Sequence, residues 1–240
     1  MRNPLERTSK IQDEAVRDSR IWDDEYRISR AIPSSSRILP SKALVLLSEL
    51  LDLGNSKKIL DAGCGNGRNA LYLARKGCDV YAVDFSDAAV SQLKVAAIGK
   101  QFTGKIYVQK HDLLSGFPFS PSFFDGVVDS YVFCHMVDPE IKTRYRAELK
   151  RVVKTGGFVF SSVFSTDDEY YLHVAKRTGT AGKIVTDPTN QITKCLYSET
   201  EIKEFFSGEF TILYFVKFQF RDFVLGNTYL RSLFVLLLTK

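Results

Sequence analysis

The sequence predicts an α/β fold: a doubly wound sheet of seven strands, parallel except for an antiparallel strand contributed by a C-terminal hairpin. Three observations carry this. From Lys57 onward, short apolar runs alternate with stretches of helical periodicity, the pattern of a parallel sheet with helices on both faces. A glycine-rich turn, Gly63 to Gly67, joins the first strand to the first helix. The last two apolar runs, Phe210 to Phe220 and Tyr229 to Leu238, are separated only by a loop around Gly226 and Asn227, so they pair as an antiparallel hairpin.

Taken in order, Lys58-Ile59-Leu60 is the first strand, and a helix from about Arg68 to Lys76 buries Ala70, Leu71 and Ala74 before Gly77 ends it. Val80 to Asp84 is the second strand. Ser86 is placed to cap a helix that buries Ala89, Val90, Leu93 and Ala97. Lys105 to Lys110 and Phe124 to Asp129 are the third and fourth strands. Ile141, Tyr145, Leu149 and Val152 mark a helix that Gly156-Gly157 is expected to end, and Phe158 to Phe164 is the fifth strand. Ser198, with Glu201 three residues on, opens a further helix through a capping box. Residues 1–40, mixed in charge with weak helical signals from Ile11 to Tyr26, are expected to be an accessory or lid segment on a domain formed by 41–240. The connection from Ser165 to Leu196 is too long for a simple turn and is expected to be a lid-like insertion.

Composition narrows the class. A chain of 240 residues with 45% hydrophobic content buries a sizeable core without disulfides or metals. Met1 to Lys10 is charged and lacks the apolar run of a secretory signal, and Leu233 to Leu238 is far shorter than the roughly 20 residues of a spanning helix. A cytoplasmic location is expected. Cys64, Cys78, Cys134 and Cys195 form no C-x-x-C pair and read as reduced, small apolar residues. His111, His135 and His173 have no metal-ligand spacing, so no metal is expected. The net charge of +5 is modest and names no partner.

The richest stretch is Ile59-Leu60-Asp61-Ala62-Gly63-Cys64-Gly65-Asn66-Gly67-Arg68. Glycines at alternate positions let backbone approach a ligand closely at the carboxyl end of the first strand, where open α/β sheets bind ligands. Asp84, closing the second strand, is placed to accept hydrogen bonds from both ribose hydroxyls of a nucleoside. A dinucleotide enzyme uses the same acid, but its G-x-G-x-x-G/A pattern needs a small residue where this chain has Arg68. Asp61 also suits a ligand carrying an ammonium group better than one carrying a pyrophosphate.

Leu60 to Arg68 with Asp84 downstream resembles motif I of the class I S-adenosylmethionine-dependent methyltransferases, whose fold is Rossmann-like. His111-Asp112-Leu113 resembles the family position at which an acid binds the adenine amino group. Phe124 to Ser130 resembles the fourth-strand motif, and Glu148 to Gly157 the helix and turn before the fifth strand. The resemblance extends from about Lys57 to Lys240 and implies S-adenosyl-L-methionine as cofactor, with Asp61, Gly63, Cys64, Gly65, Gly67, Asp84, Phe85, Asp112, Leu113 and Asp129 as the residues around it. Cys64 to Ala74 most resembles the tellurite-resistance methyltransferases and their thiopurine-methylating relatives.

Methyl transfer from a sulfonium is an in-line displacement, so the protein mainly aligns the nucleophile and excludes water. Asp129, Ser130, Tyr131 and His135 follow the fourth strand and are expected to face the methyl group. His135 and Tyr131 are the candidate catalytic residues, and His135 reads either as a base or as a residue that only caps or packs. Trp22 and Tyr26, with Tyr170 and Tyr171 near Asp168 in the insertion, are expected to contact the acceptor or pack the lid. Asp129-Ser130-Tyr131-Val132 lacks the Pro-Pro pair of enzymes that methylate flipped adenine. The leading expectation is in-line methylation of a small molecule. The alternatives are an RNA or protein methyltransferase reading its target through the basic stripe Lys142, Arg146 and Lys150, and a non-catalytic S-adenosylmethionine-binding module.

Overall fold

The computed structural model describes residues 19–29, 31–51 and 53–240. The stretch from Met1 to Lys10 and the first part of the Ile11 to Tyr26 helical signal lie outside the described residues. Residues 19–24 are helical and run into a π-helical turn, Glu25–Ser29. A short helical turn, Pro33–Ser36, and helix α1 (Lys42–Ser48) lead to the sheet. The alternating pattern then gives β1 (Lys58–Ala62), α2 (Arg68–Arg75), β2 (Asp79–Asp84), α3 (Asp87–Ala97), β3 (Ile106–Lys110), β4 (Phe124–Ser130), α4 (Pro139–Val152) and β5 (Val153–Phe164). After these come α5 (Glu169–Thr178), β6 (Ile184–Thr186), β7 (Thr193–Cys195), α6 (Glu199–Ser207), β8 (Thr211–Val224) and β9 (Asn227–Thr239).

Seven strands form one sheet in the order β3-β2-β1-β4-β5-β9-β8. β1 to β5 are mutually parallel, and β9 runs antiparallel to both β5 and β8. Strand order reverses between β1 and β4, which opens a crevice at their carboxyl ends, the ligand position of this architecture. The strands bury near-continuous apolar runs because helices cover both faces: Ile59, Leu60, Val127, Val128, Val159 and Phe160 have no exposed surface. Gly126 makes room in this core, since a Cβ there would lie 2.2 Å from the Phe158 ring on the neighbouring strand. The hairpin closes on Leu225 and Gly226, both with positive φ (49° and 84°), between the paired Val224 and Asn227, the two-residue turn whose twist matches the flanking strands. Ser86 caps α3 and Ser198 with Glu201 forms the expected capping box. All four cysteines are buried and free, and among the described residues no helix is long and apolar enough to cross a membrane.

The structure corrects or completes the sequence reading in three places. Gly156-Gly157 does not end α4: the helix stops at Val152 and the chain enters β5 at once, with Gly156 (φ 73°) inside an irregular start to that strand. The stretch from Ser165 to Leu196, for which the sequence reading named no elements, folds into α5 and the β6-β7 hairpin. The basic stripe on α4 is not a free face: Lys150 pairs with Glu209, Arg146 donates to the Phe205 carbonyl and stacks on its ring, and Lys142 lies over Tyr197.

Candidate active site

The crevice is one cavity of about 1040 Å³. One end is made by the glycine loop and the tips of β1, β2 and β3. Gly63 and Gly65 take left-handed backbone (φ 62° and 55°), and a Cβ at Gly63 would stand 2.2 Å from Val132 Cγ2, so the turn can be this tight only without side chains. Asp84 ties the loop together: its carboxylate accepts from the N–H of Gly65 and of Ser86, both at 2.9 Å. Burial pushes its carboxyl up to about 6, and it faces the cavity beside Phe85. Asp112 and Leu113 line the same end, where Asp112 also caps a short 3₁₀ turn by accepting the Leu114 N–H.

Gly63, Cys64, Gly65, Asp84, Phe85, Asp112, Leu113, Tyr131, His135, Trp22, Tyr26, Tyr170 and Tyr171 therefore share one cavity wall. Asp61, Gly67 and Asp129 are not part of that wall. Asp61 is buried under the glycine loop with Oδ2 lacking any hydrogen-bond partner, and burial pushes its carboxyl up to about 7. Gly67 begins α2 against Leu93. Asp129 points into the turn after β4, accepting the Val132 and Phe133 N–H groups, and is likewise pushed up to about 7 by burial.

These buried acids couple stability to pH. In each the folded pKa is raised, so the contribution is fully present below the unfolded value near 4 and is lost as pH rises through 6 to 7. Lowering pH from about 8 to about 6 is expected to add ~3 kcal/mol from the carboxylates, opposed in part by His135 and Lys194, whose pKa values are depressed. The ligand-free protein should melt several degrees higher at pH 6. Asp61→Asn and Asp129→Asn should each remove much of that rise in thermal melts, and an unchanged slope in both would refute the assignment.

Trp22 and Tyr26 roof the cavity from the amino-terminal segment. Asp23 accepts from Ser86 Oγ (2.6 Å) and the Ala88 N–H (3.0 Å) at the start of α3, Gln92 donates to the Tyr26 carbonyl (2.7 Å), and Glu25 accepts from the Ile32 N–H and Ser35 Oγ. The Tyr26 hydroxyl comes down over Gly65. Trp22 stacks on Tyr26 and meets His135 edge-on, with centroids 5.0 Å apart.

The other end is aromatic and cationic. Tyr131 holds a left-handed backbone (φ 73°), a strain of order 1–3 kcal/mol for a non-glycine residue, and stacks on Phe164. His135 does not offer a free basic nitrogen. Its Nδ1–H donates to the Thr193 carbonyl (3.0 Å), its Nε2 accepts from the Lys194 ammonium (2.9 Å), and burial with that neighbouring charge drives its pKa well below the ordinary value. Tyr170 donates to Asp187, and Tyr171 is buried against Phe164. Asp168, at the start of α5, forms a buried ion pair with Arg231 of β9 (2.9 Å). Sequence reasoning missed Lys194 and Arg231. Arg231 had a legible signal, the single charge in the strand-like run Tyr229 to Leu238, whereas Lys194 in a three-residue strand had none.

Residues 59–157 match a family model described as a methyltransferase domain. The ubiquinone biosynthesis O-methyltransferase of Thiobacillus denitrificans is 34% identical over 119 residues, 48% of each chain, and the chain spans about half the length of the curated relatives it matches. An S-adenosylmethionine-dependent methyltransferase of Methanosarcina mazei superposes with a TM-score of 0.66 at 25% identity, covering 81% of this chain and 96% of the other. The 1,6-didemethyltoxoflavin-N1-methyltransferase of Burkholderia thailandensis, solved with its substrate and S-adenosylhomocysteine, gives 0.65 at 20% identity over 100% of this chain and 91% of its own. Residues 59–157 thus match a methyltransferase domain, and in its glycine loop, strand order and these likenesses the chain is similar to the class I S-adenosylmethionine-dependent methyltransferases.

Proposed function

We propose that the protein transfers the methyl group of S-adenosylmethionine to a small molecule held at the aromatic end of the cavity. The observation that carries this is the continuity of the cavity. One space of about 1040 Å³ joins the glycine loop and Asp84 to the Tyr131, Phe164 and Lys194 end, at the upper limit of the volume a single small ligand occupies.

The residues present fit the cofactor. Asp84 and Phe85, with Asp112 and Leu113, would hold the adenosine. The backbone of Gly63, Cys64 and Gly65 would take the methionyl part, and the unused Oδ2 of buried Asp61 supplies negative potential beneath it. Gly67 and Asp129 act from behind, shaping the loop and the turn after β4. The cofactor supplies a methyl carbon made electrophilic by its sulfonium. The chain's own residues orient the acceptor and keep water out, Trp22 and Tyr26 from above and Tyr131, Tyr170 and Tyr171 from the side. His135 positions Lys194 and is not itself a base. In this reading, the described part of residues 1–40 covers a domain formed by 41–240, and the folded insertion 165–196 walls the acceptor end. The buried free cysteines suit a reducing, cytoplasmic setting. The packed basic face of α4 favours a small acceptor over RNA.

Calorimetry tests this directly. S-adenosylmethionine and S-adenosylhomocysteine are expected to bind, and NAD is not, because Arg68 stands where a dinucleotide site needs a small residue. Binding of NAD without S-adenosylmethionine would overturn it.

A further inference from the structure

The acceptor end holds a cation that no carboxylate of the described residues meets in an ion pair. Lys194 is buried, lines the cavity and has the neutral His135 Nε2 as its hydrogen-bond partner. Beyond His135, the titratable groups whose charge acts on it are Cys134, Arg231, Asp187 and Glu25. Asp187 is spent on the Tyr170 hydroxyl and the Thr189 N–H, and Glu25 on Ile32 and Ser35. Cys134 is a protonated thiol, its pKa pushed up to about 12 by burial. Arg231 has Asp168 as its counter-ion, and Arg37 has Asp222, so those two charges are balanced inside the protein. Lys194 is not.

A buried ammonium without a carboxylate is costly, and its pKa is depressed to about 8 by burial, which leaves it charged at neutral pH. Its surroundings are aromatic: Nζ lies 5.4 Å from the Phe164 centroid and 5.9 Å from that of Trp22. The Arg231 guanidinium lies 4.9 Å from the same Phe164 ring and keeps one nitrogen, Nη2, without a hydrogen-bond partner.

We propose that the methyl acceptor is an aromatic anion whose negatively charged oxygen, a carboxylate or a phenolate, docks on Lys194 beside the Phe164 ring, in the field of Arg231. This rests on the reading above that this end of the cavity takes the acceptor. The ring of such a molecule lies among Trp22, Tyr131 and Phe164, where flat apolar surface and edge contacts are available. Its charge supplies the counter-ion that Lys194 lacks, and desolvation by the aromatic wall strengthens the pair. A neutral molecule of the same shape leaves the ammonium buried and unpaired, so the site discriminates by charge.

The experiment is calorimetric titration of the full chain, with S-adenosylhomocysteine present, by two matched pairs: benzoate against benzamide, and 4-nitrophenolate against 4-nitroanisole. At least one anion is expected to bind about tenfold or more tightly than its neutral partner, and the arm that shows it tells carboxylate from phenolate. Lys194→Met is expected to abolish that preference while keeping or raising the melting temperature and keeping the affinity for S-adenosylhomocysteine, which shows that the variant is folded. Equal binding of anion and neutral partner in both arms, a preference that survives in Lys194→Met, or no binding of any of the four at millimolar concentration would overturn the proposal. Failure of the unsubstituted protein to bind S-adenosylhomocysteine would instead bring down the cofactor reading beneath it.

Discussion

Asp168→Ala is expected to destabilise the protein by about 3–5 kcal/mol, the cost of removing one partner from a buried ion pair. The Asp168 side chain is fully buried and joins three parts of the fold. It takes Arg231 Nε at 2.9 Å, accepts the Ser232 N–H at 3.0 Å, and caps α5 through the Tyr171 N–H at 3.2 Å. Without it, Arg231 is left buried among the Phe164, Tyr170 and Tyr171 rings. Its remaining carboxylate neighbour is Asp222, 3.9 Å from Nη1 and already engaged by Arg37. The double variant Asp168→Asn with Arg231→Met removes both charges and keeps the cap, so it should recover most of the loss. Chemical denaturation of the single and double variants measures this. A loss below about 1 kcal/mol in the single variant, the range of an exposed pair, would mean that the pair is incidental.

The contrast between Asp168 and the glycine loop shows what the sequence makes legible. Gly63, Gly65 and Asp84 were readable because their constraint is local, as are the Ser86 cap, the Ser198 and Glu201 capping box and the turn at Gly226. Backbone geometry at one place demands particular residue types, whatever surrounds it. Asp168 with Arg231 and His135 with Lys194 are pairs separated by 63 and 59 residues, and neither member carries a local mark of the other. The elements inside the insertion were not legible for a related reason. Asp168 as a cap and Gly179 in left-handed backbone at the end of α5 are ordinary helix signals, but the short apolar set Tyr170, Tyr171 and Val174 gains its meaning only from the cavity wall it packs on. Gly156-Gly157 misled in the opposite sense: a helix-stop signal sits inside a strand, because α4 passes into β5 with no connecting residues.

Asp84→Ala is expected to weaken binding of S-adenosylmethionine by about 1.5–3 kcal/mol, the range for hydrogen bonds to a charged group, or about 10- to 150-fold in affinity. The carboxylate also holds the Gly65 and Ser86 N–H groups, so a loss in the alanine variant alone would not separate contact with the ribose from disorder in the loop. Ionisation separates them. Burial raises the Asp84 carboxyl to about 6, and only the charged form offers acceptors to both ribose hydroxyls. A bound partner that donates to the carboxylate lowers its pKa, so cofactor affinity should fall as pH drops through 6, with proton release on binding near that pH. Asp84→Asn keeps the side chain's shape and one acceptor oxygen but has no such proton, and its weaker affinity should be flat across the same interval. A variant that stays folded and binds as tightly as the unsubstituted protein would remove Asp84 from the cofactor site. An affinity that falls with pH equally in both proteins would assign the pH dependence to another acid.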